Sequence, residues 1–188
     1  MRVDAAYAEV ERITRREARN FAYGIMVLPR PKRRAIAAIY AFARRVDDIA
    51  DGPLSDDEKR SRLQQLHADL DATPSDPVLV ALGDARSRYP IPARALHDLV
   101  DGGLQDTEQR RYADFEELLG YCRHVAGAVG VACIAVYGSR DEERAHRRNL
   151  LPADVPLHLK GPSCGRAGRR GRNGLSMELL RFRRYSAQ

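Results

Sequence analysis

Three aspartates close the run Val46-Asp47-Asp48-Ile49-Ala50-Asp51, and Tyr40 and Arg44 precede them at one-turn steps. On a helix turning about 100° per residue, Tyr40, Arg44, Asp47 and Asp51 fall within an arc of about 60°. That arc lies roughly 90° round from an apolar stripe of Ile36, Ile39, Ala43, Val46 and Ala50. Like charges one turn apart repel, and a bound divalent cation offsets the cost. Carboxylate oxygens on one helix face suit Mg2+, which keeps several waters and bridges to substrate phosphates. The competing reading is a solvated acidic helix end neutralised by Arg44, Arg45 and Lys59.

Other chemistry-bearing residues are sparser. His97-Asp98 resembles a phosphohydrolase metal dyad, which needs further His and Asp ligands, and His67 has no evident company. His124 reads as a surface or core-edge histidine. Cys122, Cys133 and Cys164 are too few and too scattered for a disulfide framework or a four-ligand zinc site, so they read as buried or incidental thiols.

The elements that must carry these residues are helices. Across the first 154 residues apolar positions recur at helical spacing and no stretch alternates as a half-buried strand would, so the expected fold class is all-α. Val10, Ile13 and Ala18 mark a helix ending near Arg19-Asn20-Phe21, and a second runs from about Pro31 to Ala50 and stops at Gly52-Pro53. Leu63, Leu66 and Leu70 mark a third, followed by a polar turn from Ala72 to Pro77. Leu96, Leu99 and Val100 mark another that breaks at Gly102-Gly103. The longest is expected from Asp114 to about Tyr137, opened by a capping box of Asp114 and Glu117 and stopped by Gly138. Within it Gly127 and Gly130 each cost about 1 kcal/mol relative to alanine. They imply a close approach to the backbone, by a packed helix or by a ligand tail.

Of 188 residues, 44% are hydrophobic and 31% charged, a globular balance. No apolar run approaches the roughly 18 residues of a membrane span, and the N-terminus lacks a secretory h-region, so a cytoplasmic location is expected. The formal charge of +6 resides in the tail: residues beyond Asp154 balance at +7 and residues 1–154 at −1. From Val155 onward Gly, Pro and Arg replace any apolar period, so 155–188 is expected to be a disordered tail beside a domain at 1–154. With the basic charge outside the domain, nucleic acid is not the expected partner; a basic-tailed binding protein for nucleic acid or acidic lipid is the non-catalytic alternative.

Two sets of motifs go further. Phe21-Ala22-Tyr23-Gly24-Ile25-Met26-Val27-Leu28-Pro29 and Ala38-Ile39-Tyr40-Ala41-Phe42-Ala43-Arg44-Arg45-Val46-Asp47-Asp48-Ile49-Ala50-Asp51 resemble the opening of the squalene/phytoene synthase family and its first aspartate-rich motif. Asp101-Gly102-Gly103-Leu104-Gln105-Asp106, Arg111-Tyr112 and the run Tyr121 to Gly130 look like its middle signature. The resemblance covers about residues 5–145. Glu17-Ala18-Arg19-Asn20-Phe21 with Val46 to Gly52 is most similar to bacterial presqualene diphosphate synthases of hopanoid pathways, with phytoene synthase the near alternative.

The resemblance implies an isoprenoid-synthase helical bundle that joins two prenyl diphosphates head to head, here two farnesyl diphosphates giving presqualene diphosphate. It implies Mg2+ on Asp47 and Asp51 with Asp48 beside them, and Tyr121 among the catalytic residues. It implies a substrate pocket of Phe21, Tyr23, Tyr40, Arg44, Asp106, Val125, Gly127, Val129 and Gly130. A nicotinamide reductant is needed only if the reaction continues to squalene. The lipid product implies peripheral contact with the inner face of the membrane.

The chain also departs from the family pattern. Members are longer and carry a second aspartate-rich motif, and no DxxxD follows residue 145 here. Val155-Pro156-Leu157-His158-Leu159 and Met177-Glu178-Leu179-Leu180-Arg181 resemble flanks of that missing motif. Codons for Ser163 to Arg170 read in another frame can contain Asp-Val-Arg-Glu-Asp, so a frame slip is expected, the alternative being a genuine divergent basic tail, and condensation by this chain as written is expected to be impaired.

Overall fold

The computed structural model describes residues 2–18, 21–72, 76–108 and 112–138, all within the unit Met1–Ala153. Arg19, Asn20, Arg111, the turn residues 73–75, Cys164 and the expected tail at 155–188 with its motif remnants lie outside the described residues. Among the described residues every regular element is helical: α1 (Val3–Glu17), α2 (Ala22–Met26), α3 (Arg30–Asp51), α4 (Asp56–Asp69), α5 (Pro77–Arg88), α6 (Ala93–Thr107), α7 (Phe115–Cys122), a π-helical segment (Arg123–Gly127) and α8 (Ala128–Tyr137). This is the all-α class expected from the periodicity.

α3 is the element on which the others assemble. Pro31 lies in its first turn, where the missing N–H has no helical partner to lose. Ile36, Ile39, Phe42 and Val46 point inward and are each 4% exposed or less. α3 packs with α1 and α5, and also with α4, α6 and α8, so its apolar positions serve two groups of neighbours. The charges of its end turns are segregated: Arg30, Lys32, Arg33 and Arg34 open it, and Asp47, Asp48 and Asp51 close it just beyond Arg44 and Arg45.

Local rules account for the helix starts. Ser55 caps α4 in a capping box, its hydroxyl accepting from the Glu58 N–H while the Glu58 carboxylate accepts from the Ser55 N–H at 3.1 Å. Asp76 caps α5 by accepting from the N–H groups of Val78 and Leu79, and both its oxygens also accept from the fork of Arg45 on α3 at 2.7 and 3.0 Å. The sequence reading assigned no helix to 77–88, because Val78-Leu79-Val80-Ala81-Leu82 is an unbroken apolar run without a helical period.

One expected boundary is wrong. α6 continues through Gly102-Gly103 to Thr107. Both glycines are buried, and a Cβ on Gly103 would lie 2.7 Å from Val46 Cγ1 while one on Gly102 would lie 2.7 Å from Val125 Cγ2. Packing on two sides offsets the helix-propensity cost of the pair.

The long helix runs from Phe115 to Tyr137, with a wider π turn in the middle. Asp114 accepts from the Glu117 N–H at 2.9 Å, and the Glu117 carboxylate accepts from the Ala113 N–H at 2.7 Å, one residue earlier than a standard capping box. Gly138 ends the helix at φ +80°, the left-handed conformation that glycine adopts without a Cβ penalty. Ala128, Ala132 and Val136 are buried. The expectation that no segment is apolar enough for a membrane span needs correction here. By length and composition Phe115–Tyr137 qualifies, with a window of mean hydropathy 1.5 that is 17% buried. Its packing against α3 and α6 makes it a bundle helix in this structure.

Candidate active site

Where α3 ends, it forms a crevice with α6 and the π segment. Val46, Asp47, Ala50 and Asp51 line it from α3, Leu99, Gly103 and Asp106 from α6, and Val125 from the π segment. Its water-sized space is about 30 Å³, room for roughly two waters. A prenyl chain does not fit there, so the crevice is a place for ions and polar head groups.

The carboxylates repel as their spacing requires. Asp47 is exposed as a residue, yet crowding around its carboxyl makes desolvation the largest cause raising its pKa to about 6. The neighbouring charge of Asp51 adds to the rise, Arg44 opposes it, and Asp48 and Asp106 contribute further repulsion. Asp106 therefore faces the same ground as the two α3 carboxylates although it comes from another helix.

Tyr121 joins the cluster from α7. Its hydroxyl is hydrogen-bonded to Asp106, and burial first, then that bond, push its pKa far above the usual phenol range. Tyr112 packs on it with ring centroids 5.3 Å apart. Tyr40 is half-buried on the same α3 face, and burial raises its pKa as well. Arg44 pairs with Asp48 at 2.9 Å, and its Nε is buried without an acceptor among the described residues. Arg123 Nε, on the π segment, is in the same condition. The alternative in which Arg44 and Arg45 together neutralise the aspartates fails for Arg45, whose fork is committed to Asp76.

Asp47, Asp51, Asp106 and Val125 thus share one crevice, with Tyr121 bonded at its rim and Tyr40, Arg44 and Asp48 on the adjoining helix surface. Phe21 and Tyr23 do not line it. They are 42% and 82% exposed on or beside α2, whose Ile25 and Met26 share a depression with Arg33 and Ala37. Ala37 precedes Asp47 by ten residues of helix, about 15 Å of rise. Val129 packs against the core from α8. A Cβ on Gly127 would meet only Arg123 and Cys122 of its own helix, and one on Gly130 would meet nothing within 4 Å. Neither glycine is required by a packed helix among the described residues.

One histidine reading needs revision and another holds. His67 does have company: its Nε2 lies 3.1 Å from His97 Nδ1 and 3.7 Å from Asp101. His124 is a core-edge residue as expected, 3.1 Å from the Gln105 amide. Leu99 and Gly103 are crevice residues that the sequence reading assigned to core and to a helix break. Their signal was present, since Leu99, Gly103 and Asp106 follow at i, i+4 and i+7 and so share one face of α6.

No group of three His, Cys, Asp or Glu side chains among the described residues forms a metal-holding cluster. Asp47 and Asp51 nonetheless fit a hard cation. They offer oxygen ligands at i, i+4, their mutual repulsion favours a positive charge, and Mg2+ fills the rest of its shell with waters and phosphate oxygens.

The squalene/phytoene synthase family model matches residues 14–152. The chain belongs to this family. Within it, the Mycobacterium tuberculosis phytoene synthase is 45% identical over 138 residues, covering 72% of this chain and 46% of that protein. The 15-cis-phytoene synthase of Synechococcus elongatus is 39% identical over 202 residues, covering 97% of this chain, and so part of the basic tail, and 65% of that protein. Among solved structures, a dehydrosqualene synthase crystallised with ligand superposes with a TM-score of 0.66 at 28% identity, covering 71% of this chain and 48% of that one. The chain therefore spans about half the length of the mycobacterial relative and of the solved family member. The bundle described above is the isoprenoid-synthase fold of this family as far as it extends.

Proposed function

We propose that the crevice between α3 and α6 is the metal and diphosphate part of a squalene/phytoene synthase site, in a polypeptide that condenses two prenyl diphosphates head to head. The observation that carries this reading is the convergence of Asp47 and Asp51 from one helix with Asp106 from another, inside the segment matched by the family. Asp47 and Asp51 would hold Mg2+, with Asp48 adding negative charge beside them. When bound, the ion supplies Lewis-acid assistance to departure of the diphosphate.

The protein's own groups have distinct tasks in this reading. Arg44, paired with Asp48 through one terminal nitrogen, would offer the other terminal N–H groups of its guanidinium to phosphate oxygens. Tyr121 stays protonated at any physiological pH because burial and Asp106 oppose its ionisation. Its phenol is therefore a fixed hydrogen-bond donor and a π face toward positive charge. Val125 and Leu99 line the apolar side of the crevice. Phe21, Tyr23, Val129, Gly127 and Gly130 belong to the prenyl-chain part of the proposal, outside the crevice.

A phytoene-type condensation is the reading supported by the names of the mycobacterial and cyanobacterial relatives. Formation of presqualene diphosphate from farnesyl diphosphate is the second reading, supported by the motif resemblance and by the dehydrosqualene synthase likeness. A nicotinamide reductant belongs only to the version that continues to squalene, and peripheral membrane contact follows from a lipid product in either.

The test is incubation of the 188-residue protein, and of a version extended to the length of its relatives, with Mg2+ and either farnesyl or geranylgeranyl diphosphate. Products are then identified with and without NADPH. Phytoene or presqualene diphosphate from the extended form, lost in Asp47→Asn and Asp51→Asn, supports the proposal, and weaker turnover is expected of the 188-residue chain. Binding of a farnesyl thiodiphosphate that is indifferent to Mg2+ and to both substitutions would sink it.

A further inference from the structure

The walls of the crevice meet at two adjacent glycines, and the meeting is tight on both sides. The 2.7 Å between a Cβ on Gly103 and Val46 Cγ1 is roughly 1 Å short of ordinary carbon contact. Val46 cannot easily yield. It is 2% exposed, and a β-branched side chain in a helix has one strongly preferred rotamer. Leu63 of α4 closes the same spot from another direction, 3.5 Å from that Cβ. On the other side, a Cβ on Gly102 would meet Val125 at 2.7 Å and His124 at 3.5 Å, both on the π segment. One turn of α6 is thus held against α3 and the π segment at once. Asp106 follows Gly103 by three residues and lines the same crevice.

We propose that Gly102 and Gly103 are positioning residues, whose missing side chains let α6 seat against Val46 and Val125 and thereby hold Asp106 opposite Asp47 and Asp51. This role rests on the reading of the crevice as a metal and diphosphate site. A side chain at 103 forces α6 away from α3 by a displacement of the size that costs catalytic sites about 100-fold when reacting groups are misplaced. Asp106 then no longer faces the ion and phosphate that Asp47 and Asp51 would hold. Val46 and Val125 act as the gauges that set the two separations.

Calorimetric titration of the 188-residue protein with inorganic pyrophosphate in Mg2+ tests the role, with circular dichroism confirming helix content of each variant. Gly103→Ala is expected to weaken binding by about tenfold or more. Adding Val46→Ala, which removes the methyl that the new Cβ meets, is expected to recover most of the loss. Relief of the clash would also rescue a merely structural role, so each titration is run well below the variant's melting temperature, where a misaligned Gly103→Ala binds weakly and one that only lost stability binds as the wild type does. Should Gly103→Ala lose its fold, the same cycle is run with Gly102→Ala and Val125→Ala and judged by the same criterion. Unchanged affinity in the glycine variants, or a double variant as weak as the single, overturns the positioning role while leaving the proposed function standing. A wild-type protein that binds no pyrophosphate in Mg2+ overturns the proposed function and this role with it.

Discussion

Lys32, in the first turn of α3, donates from Nζ to the backbone carbonyl of Tyr137, 2.8 Å away at the end of α8. The last carbonyls of a helix have no partner within it, so this lysine satisfies one of them and ties the last described helix to the central one.

Lys32→Met is accordingly expected to lower stability by about 1 kcal/mol. The effect should concentrate at the end of α8. Hydrogen exchange at the amides of residues 134–138 measures it directly, and unchanged protection there would show that the contact contributes nothing.

Asp47 gives an unusual pH dependence. With its folded pKa raised to about 6 against roughly 4 in an unfolded chain, the folded protein binds more protons between those values. This group therefore makes stability fall as pH rises from about 4 to 6, and the penalty persists above. Asp47→Asn should remove that slope and raise the melting temperature at pH 7 in Mg2+-free buffer. It should also abolish stabilisation by Mg2+ with pyrophosphate. A melting temperature unchanged at pH 7 in the variant would contradict the electrostatic account of the crevice.

Asp76 should show the opposite slope. Partial burial pushes its pKa up, but the Arg45 fork and two backbone N–H groups outweigh that and hold it below the usual carboxylate value. Its contribution is present above the unfolded pKa and lost as pH falls through the folded one. Asp76→Ala is expected to cost about 2 kcal/mol at pH 7, combining loss of the cap with loss of the Arg45 pair. Denaturant unfolding at pH 7 and at pH 3 should show the difference shrinking in acid.

Gly83 provides a contrast with the glycines of α6. It is exposed within α5, and a Cβ there would meet nothing within 4 Å. Gly83→Ala is expected to stabilise the protein by about 0.5–1 kcal/mol. A loss of stability on thermal unfolding would mean that α5 has a neighbour at this position.

Legibility in the sequence tracked whether the governing interaction was local. The shared face of Tyr40, Arg44, Asp47 and Asp51 follows from helical geometry alone, and so do the stop at Gly138 and the cap at Asp114. Gly102-Gly103 was misread because local propensity says break, while the deciding contacts are Gly103 with Val46 and Gly102 with Val125, 57 and 23 positions apart in the chain respectively. α5 was missed because the unbroken apolar run from Val78 to Leu82 masks the helical spacing of its buried Val78, Ala81, Leu82 and Ala85. The His67–His97 contact joins α4 to α6 across thirty positions and leaves no trace in either segment. Phe21 and Tyr23 carry a motif resemblance whose spatial meaning depends on more than their own helix.

The segregated charges of α3 have an electrical consequence. The peptide dipoles of a helix sum to a positive pole at its start and a negative pole at its end, and α3 carries cationic side chains at the first and anionic ones at the second. Each such placement near the surface costs about 0.3–1 kcal/mol at low ionic strength. The helix is thus wound against its own field, and simple electrolyte, which screens beyond about 8 Å at physiological strength, should firm its ends where it loosens most surface ion pairs. The same negative pole adds to Asp47 and Asp51, so the backbone itself draws cations to the mouth of the crevice.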